Sequence, residues 1–175
     1  MIRIVLAEDQ EMLLGAIGSL LNLEDDMEVV GQAGNGEEAL TLIHRLQPDI
    51  CIMDIEMPEK SGLEAAETLK PFGCKIIILT TFARRGYFQR ALEAGVRGYL
   101  LKDSPSEELV CSIRGIMAGE RIYSPELMDE AAESERDIHQ ELKTDDSDSK
   151  EQSNSIGTVR HYFSTIIEKI KMPAG

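Results

Sequence analysis

Five polar or charged residues stand where apolar runs of this 175-residue sequence end, a place where burying charge is costly. The strand-like runs 2–7, 49–54, 75–81 and 98–102 end on or beside Glu8, Asp9, Asp54, Thr80 and Lys102. If these runs form one parallel sheet, their carboxyl ends share an edge, and these groups converge there. Carboxylates held close together repel one another and favour a hard divalent cation such as Mg²⁺. The lysine favours an anion beside that cation.

This set of groups allows two kinds of chemistry. One is a complex in which a metal ion and the ammonium hold an anion. The other is nucleophilic attack on phosphorus by an Asp carboxylate, which gives an acyl phosphate. Asp54 is the best candidate nucleophile, because it ends the central strand-like run.

Alternating strand-like and helix-like patterns predict the elements that position these groups. Apolar spacing predicts five strands, at 2–7, 27–33, 49–54, 75–81 and 98–102. It predicts five helices, at 11–23, 36–46, 62–70, 87–95 and 105–119. Strands this apolar, alternating with amphipathic helices, indicate an α/β fold with a doubly wound five-stranded parallel sheet covered on both faces.

Composition narrows the class of protein. The chain has 32 acidic and 18 basic residues and a net charge of −14, which argues against non-specific binding of nucleic acid by the whole chain. No apolar run approaches the length of a transmembrane helix, and the first residues do not resemble a signal peptide. Cys51, Cys74 and Cys111 lie among apolar neighbours in no metal-binding spacing, as expected of core residues in a reducing compartment. We therefore expect a cytoplasmic protein without membrane insertion.

Four motifs together resemble a known family. They are the acidic pair before Gln10, "MDIEMPEKSGLE" around Asp54, "LTTF" with Thr80 and "GYLLKD" with Lys102. The separations of 26 residues from Asp54 to Thr80 and 22 from Thr80 to Lys102 also fit. The sequence resembles a receiver domain of two-component response regulators of the NarL type. The resemblance implies a flavodoxin-like receiver over residues 1–121 and a regulator rather than an enzyme.

The resemblance implies a phosphorylation site that depends on Mg²⁺. Asp54 would accept a phosphoryl group from a sensor histidine kinase. Asp9 and Asp54 would bind Mg²⁺ directly, Glu8 through water, and Glu56 through its main-chain carbonyl.

The resemblance also implies a switch. Lys102 and Thr80 would contact the phosphoryl group, and Tyr99 would turn inward once Thr80 moves. The changed surface would promote dimerisation of the chain and so control transcription.

The last third of the sequence has a different character. Residues 129–155 hold 10 acidic and 3 basic residues, and we expect 122–155 to be an acidic, partly disordered linker. Residues 156–175 form an amphipathic pattern that predicts a short helical appendage and resembles the recognition helix of a LuxR-type helix-turn-helix. That resemblance assigns contacts with promoter DNA to five residues: Thr158, Arg160, His161, Lys169 and Lys171.

Two functional hypotheses follow. In the first, the chain is a phosphorylation-controlled transcriptional regulator that dimerises. In the second, the receiver acts through protein contacts alone, as a phosphoryl acceptor or a dimerising antagonist. A phosphatase of the haloacid dehalogenase kind would need an Asp two residues after its nucleophile, and position 56 is Glu.

Overall fold

Within the described residues, the core of the fold is a parallel sheet of six strands. The computed structural model describes residues 1–81 and 84–126. The strands are β1 (Ile2–Ala7), β2 (Met27–Ala33), β3 (Ile50–Met53), β4 (Lys75–Thr80), β5 (Gly98–Leu101) and β6 (Ile122–Tyr123). Their order is β2-β1-β3-β4-β5-β6, and every neighbouring pair is parallel. The predicted fold class is confirmed, with one additional edge strand.

In the part of the chain that the structure describes, five helices connect the strands. They are α1 (Glu11–Leu21), α2 (Gly36–Leu46), α3 (Gly62–Leu69), α4 (Arg85–Glu93) and α5 (Ser106–Met117). Among the helix starts, that of α4 differs most from the prediction. This helix begins at Arg85, two residues before the predicted position 87. Its first two residues, Arg85 and Gly86, carry no apolar side chain, so the apolar periodicity that marks a helix begins only at Tyr87 and Phe88.

Burial explains why the strands are apolar on both sides. Alternate strand residues, including Ile4, Ile50 and Ile77, pack against Leu21 of α1 and Ile113 of α5 in one cluster. The residues between them, such as Val5, Cys51, Ile78 and Tyr99, are also fully buried, on the opposite face. The sheet is therefore covered by helices on both faces, as the doubly wound arrangement requires.

The sixth strand extends the sheet past the predicted domain boundary at residue 121. The N–H of Ile122 donates to the carbonyl of Arg97, and the N–H of Ser124 donates to the carbonyl of Tyr99. A strand of two residues leaves no periodic pattern in a sequence, since recognising alternation needs at least four residues.

Several sequence predictions concern residues 127–175, which lie outside the described residues. They are most of the acidic linker, the helical appendage and the five residues assigned to DNA: Thr158, Arg160, His161, Lys169 and Lys171. Within 1–81 and 84–126, no helix combines the length and the apolar character that a bilayer crossing needs.

Candidate functional site

The functional groups at the strand ends lie together at the carboxyl edge of the sheet. Glu8 and Asp9 follow β1, and Asp54 follows β3, which pairs directly with β1. One carboxylate oxygen from each of the three lies within 4.8 Å of the other two. Glu8 and Asp54 are buried, whereas Asp9 is exposed. The cluster is therefore closed on the side of the core and open to solvent at Asp9.

Lys102 joins two of these carboxylates. Its Nζ atom lies 2.6 Å from Oε2 of Glu8 and 2.9 Å from Oδ2 of Asp54. The side chains of Lys102, Glu8 and Asp54 are 10, 5 and 9% exposed, so the three charges interact largely away from water. Burial by itself lowers the pKa of Lys102, but its hydrogen bonds to both carboxylates raise the pKa above the ordinary 10.5. The ammonium therefore stays charged at neutral pH.

The Glu8 carboxyl group is less easily ionised than an exposed one. Burial raises its pKa above the ordinary 4.5, while its hydrogen bond with Lys102 and the N–H of Gln10 act in the opposite direction. The N–H of Gln10 donates to Oε1 of Glu8 at 3.2 Å. The nearby charge of Asp54 also raises the pKa of Glu8. A cation placed in the cluster would relieve this repulsion.

The position of Asp54 depends on the main chain around it. Its N–H donates to the carbonyl of Ala7 at 3.0 Å, which extends the β1–β3 ladder by one residue. Its Oδ1 accepts a hydrogen bond from the N–H of Ile55 at 2.7 Å. A Cβ atom at Gly62 would lie 1.9 Å from the carbonyl oxygen of Asp54, so only glycine lets the start of α3 pack against this strand end. A capping box between Ser61 and Glu64 holds that helix start.

Thr80 and Tyr99 lie inside the protein on neighbouring strands. Thr80 is 1% exposed, and its carbonyl accepts a hydrogen bond from the N–H of Lys102 at 2.9 Å. Tyr99 is fully buried, and the edge-to-face centroid distance to Phe88 is 5.5 Å. Burial raises the pKa of the Tyr99 hydroxyl far above its usual value. The ring is thus already inward here, whereas the family resemblance links its inward turn to a movement of Thr80.

Glu56 has a partner that sequence reasoning missed. Its carboxylate lies 3.5 Å from the guanidinium of Arg84, and both side chains are about half exposed. The sequence shows Arg84 only as a charged residue near the end of a strand. Its partner lies on the loop after β3, 28 residues earlier, and no spacing rule connects the two positions.

The donor set fits a hard cation. Carboxylate oxygens of Glu8, Asp9 and Asp54 are the ligand type that Mg²⁺ prefers, and they surround a point that is open to water on the Asp9 side. Mg²⁺ keeps several waters and takes one or two carboxylates, so an arrangement with one exposed carboxylate suits it. Among the residues that the structure describes, His, Cys, Asp and Glu side chains lie close enough together to hold a metal ion at one place. The residues there are Glu8, Asp9 and Asp54.

Comparison with known proteins agrees with this geometry. The family model described as the response regulator receiver domain matches residues 4–114. The transcriptional regulatory protein DesR of Bacillus subtilis (strain 168) is 58% identical over 183 positions, which cover 98% of this chain and 92% of DesR. The 183 aligned positions outnumber the 175 residues of this chain, so DesR has residues that this chain lacks.

Solved structures give the same result. The crystal structure of a LuxR-family two-component response regulator from Aurantimonas sp. SI85-9A1 has a TM-score of 0.71 at 32% identity, covering 76% of this chain and 96% of that one. A LuxR-family DNA-binding response regulator from Staphylococcus aureus has a TM-score of 0.64 at 40% identity, covering 66% and 98%.

These matches are to regulatory proteins and not to enzymes, and they concern phosphorylation-dependent control of transcription. They extend over the same strand ends that bring the acidic cluster and Lys102 together. The chain therefore belongs to the response regulator receiver domain family and is a two-component response regulator of the LuxR/NarL type.

Proposed function

We propose that Asp54 is the residue that receives the phosphoryl group. The observation that carries this proposal is the position of Lys102, whose ammonium lies 2.9 Å from one oxygen of Asp54. That ammonium neutralises charge at Asp54 and leaves a fixed cation for the oxygens of an incoming phosphoryl group. Asp54 thus contacts Lys102 and has a carboxylate oxygen within 4.8 Å of one from the exposed Asp9.

Mg²⁺ is the proposed cofactor of the transfer. Asp9 and Asp54 are the proposed direct ligands, with Glu8 acting through water and Glu56 through its main-chain carbonyl. When bound, Mg²⁺ supplies positive charge that stabilises the phosphoryl oxygens during transfer. The exposed face of the cluster at Asp9 supports this assignment, because solvent and a phosphodonor can reach the metal ligands there.

Phosphorylation changes the charge balance that holds Lys102. The unmodified cluster has one ammonium and three carboxylates, and a phosphoryl group on Asp54 adds about one further negative charge and three acceptor oxygens. Lys102 and the Thr80 hydroxyl are the proposed partners of those oxygens. Thr80 and Lys102 lie at the ends of the adjacent strands β4 and β5, so their movement toward Asp54 would change the surface formed by α4 and α5. Tyr99 is the proposed aromatic switch residue on that path.

The proposed partners follow from this chemistry. A sensor histidine kinase supplies the phosphoryl group, and a second copy of the chain binds the changed surface. DesR and the Staphylococcus aureus protein are named as transcriptional or DNA-binding regulators, which supports promoter DNA as the final target. We propose the cytoplasm as the place where these partners meet.

A phosphorylation assay tests the assignment of Asp54. Wild type, Asp54→Asn and the control Asp25→Asn are incubated with acetyl phosphate and Mg²⁺, and bound phosphate is measured by intact-protein mass spectrometry. Asp25 is exposed and lies between α1 and β2, at the opposite edge of the sheet. We expect a gain of one phosphoryl group in wild type and Asp25→Asn and none in Asp54→Asn. Equal gain in all three proteins would show that the acceptor is another residue.

The second candidate function is a receiver that acts through protein contacts alone. The observation that favours it is the charge of residues 129–155, where 10 acidic residues against 3 basic ones repel DNA. Titrating the phosphorylated full chain and the Asp54→Asn chain onto promoter DNA at a stated salt concentration separates the two functions. Tighter binding by the phosphorylated chain supports direct control of transcription, and equally weak binding by both supports action through protein contacts.

A further inference from the structure

An ion pair joins Glu56, in the motif around Asp54, to Arg84, which lies outside the four motifs, and so links two loops at the carboxyl edge of the sheet. The Nη1 atom of Arg84 lies 3.5 Å from Oε1 of Glu56. Glu56 lies two residues after Asp54, on the loop that follows β3. Arg84 lies four residues after Thr80, immediately before α4. The pair therefore connects the loop that carries proposed metal ligands with the beginning of a helix.

Arg84 lies at the start of α4. It is the N-cap residue, and its carbonyl accepts hydrogen bonds from the N–H groups of Tyr87 and Phe88, each at 3.0 Å. Its guanidinium also lies over the Tyr87 ring, 5.4 Å from the centroid. The helix has no side-chain cap and no acidic residue in its first turn. The Glu56 carboxylate pairs with the guanidinium of this N-cap residue, so the ion pair ties the start of α4 to the loop after β3.

The same helix contacts the proposed switch residue. Phe88 lies one turn after Arg84 and packs edge-to-face on Tyr99 of β5 and on Tyr123 of β6, with centroid distances of 5.5 Å in both pairs. Tyr99 precedes Lys102 by three residues. A displacement at the start of α4 therefore acts on the packing around Tyr99 and on the edge strand β6.

We infer that the Glu56–Arg84 ion pair is a positioning contact that transmits a change at the phosphorylation site to α4. This inference rests on the proposed function, since it takes Glu56 and Asp54 as parts of one metal-binding and phosphoryl-binding loop. An added charge at Asp54 changes the electrostatic field at Glu56 and at the Arg84 guanidinium together. Because the pair anchors the first turn of α4, the helix then shifts and carries Phe88 with it.

The structure offers a matched control pair. Nε and Nη2 of Arg90, in the second half of α4, lie 3.1 and 2.9 Å from Oε1 of Glu67 in α3. The Glu56–Arg84 pair ties α4 to the loop after β3, and the Arg90–Glu67 pair ties it to α3. The side chains of the two pairs are about equally exposed. Only the Glu56–Arg84 pair involves the loop after β3, so loss of the Arg90–Glu67 pair tests for a general loosening of α4.

Amide hydrogen exchange by NMR tests the first part of the inference, in the unmodified protein without metal. We expect Glu56→Gln and Arg84→Gln each to speed exchange at the Tyr87 and Phe88 amides about two- to fivefold, in the range of an exposed ion pair. The exchange rates of the double variant should match those of the single variants, because each substitution already removes the same ion pair. Arg84→Lys should restore part of the protection, and Arg90→Gln should leave these two amides unchanged. An unchanged rate in Arg84→Gln, or an equal effect of Arg90→Gln, would overturn the inference.

Addition of Mg²⁺ and beryllofluoride, a mimic of the phosphoryl group, tests transmission. In wild type and Arg90→Gln, we expect the mimic to change exchange at the α4 amides. In Arg84→Gln, the mimic should still raise the melting temperature while the change in α4 is lost. An α4 response that persists in Arg84→Gln would overturn the inference and leave the proposed function intact. If the mimic and Mg²⁺ do not raise the melting temperature of wild type, the proposed function itself fails.

Discussion

Two cations in this receiver each bind two carboxylates, one in the interior and one at the surface. Lys102 binds Glu8 and Asp54 with side chains that are at most 10% exposed. Arg114 of α5 binds Glu24 and Asp26, on the loop between α1 and β2, at 2.7 Å each, with side chains 36–46% exposed. The charges and distances are nearly equal, and the difference is access to water.

That difference determines what each cluster can do. Water and salt screen the surface cluster, so its charges interact weakly with one another and the cluster chiefly holds α5 against the loop. In the interior the same charges are poorly screened, and each depends on the others to offset the cost of burial. A change of one charge there, by phosphorylation or metal binding, redistributes the contacts of the rest. The interior cluster is suited to a switch, and the surface cluster to a tether.

The largest expected effect comes from removing the interior cation. Lys102→Met should lower the free energy of unfolding by roughly 2 to 3 kcal/mol at pH 7 without Mg²⁺, since Glu8 and Asp54 are then buried without their partner. Urea denaturation measures the loss, and Arg114→Met is the control at the surface cluster. A loss in Lys102→Met no larger than in Arg114→Met would contradict the distinction between the two clusters.

Metal binding should stabilise the interior cluster alone. Mg²⁺ at ten times its Kd should raise the free energy of unfolding of wild type by about 1.4 kcal/mol, because it binds the folded chain only. Asp9→Asn should lose most of this gain, and Arg114→Gln should keep it. Thermal melts with and without Mg²⁺ measure the difference. An equal gain in Asp9→Asn would remove Asp9 from the metal site.

Lowering the pH should change the contributions of Glu8 and Asp26 to stability in opposite directions. The pKa of Glu8 is raised above 4.5 by burial, so the folded state binds this proton more tightly, and the Glu8 contribution to stability is lost as pH rises through the raised value. The pKa of Asp26 is held below 3.8 by its hydrogen bond with Arg114, so its contribution is present above pH 3.8 and lost as pH falls through the lowered value.

Single variants measured over a range of pH test these signs. The stability of wild type relative to Glu8→Gln should fall as pH rises above 4.5 through the raised pKa of Glu8. The stability of wild type relative to Asp26→Asn should fall as pH drops below 3.8. If the two stability differences change in the same direction with pH, burial does not explain why the pKa values of Glu8 and Asp26 shift in opposite directions.

The smallest expected effect is that of the surface cation. Arg114→Gln should cost several times less stability than Lys102→Met, and most of that loss should vanish in 1 M salt (Debye length about 3 Å). Arg114→Lys should keep part of the stability, since the charge remains while the paired N–H contacts to Asp26 are lost. Denaturation at low and high salt checks both. A loss in Arg114→Gln that salt leaves unchanged would indicate packing rather than charge.

Much of the fold was readable from the sequence. Runs such as 75–80 are apolar on both sides of the chain, which indicates a strand covered on both faces, and this in turn predicts parallel pairing. Parallel pairing places Glu8, Asp54 and Lys102 at one edge, so the convergence of these groups follows from strand order and direction alone. The strand β6 and the early start of α4 were not readable, since a strand of two residues and two helix residues without an apolar side chain are too short to show a periodic pattern.

By itself, the sequence determined which chemical groups end the strands and that they share an edge, because the alternation of strands and helices is local and periodic. Only the tertiary structure decided the partners: Lys102 binds Glu8 as well as Asp54, and Arg84 pairs with Glu56, 28 residues earlier. It also decided which of two chemically similar clusters is shielded from water. Distances between side chains and their burial depend on every element that packs around them, and no single stretch of the sequence contains that information.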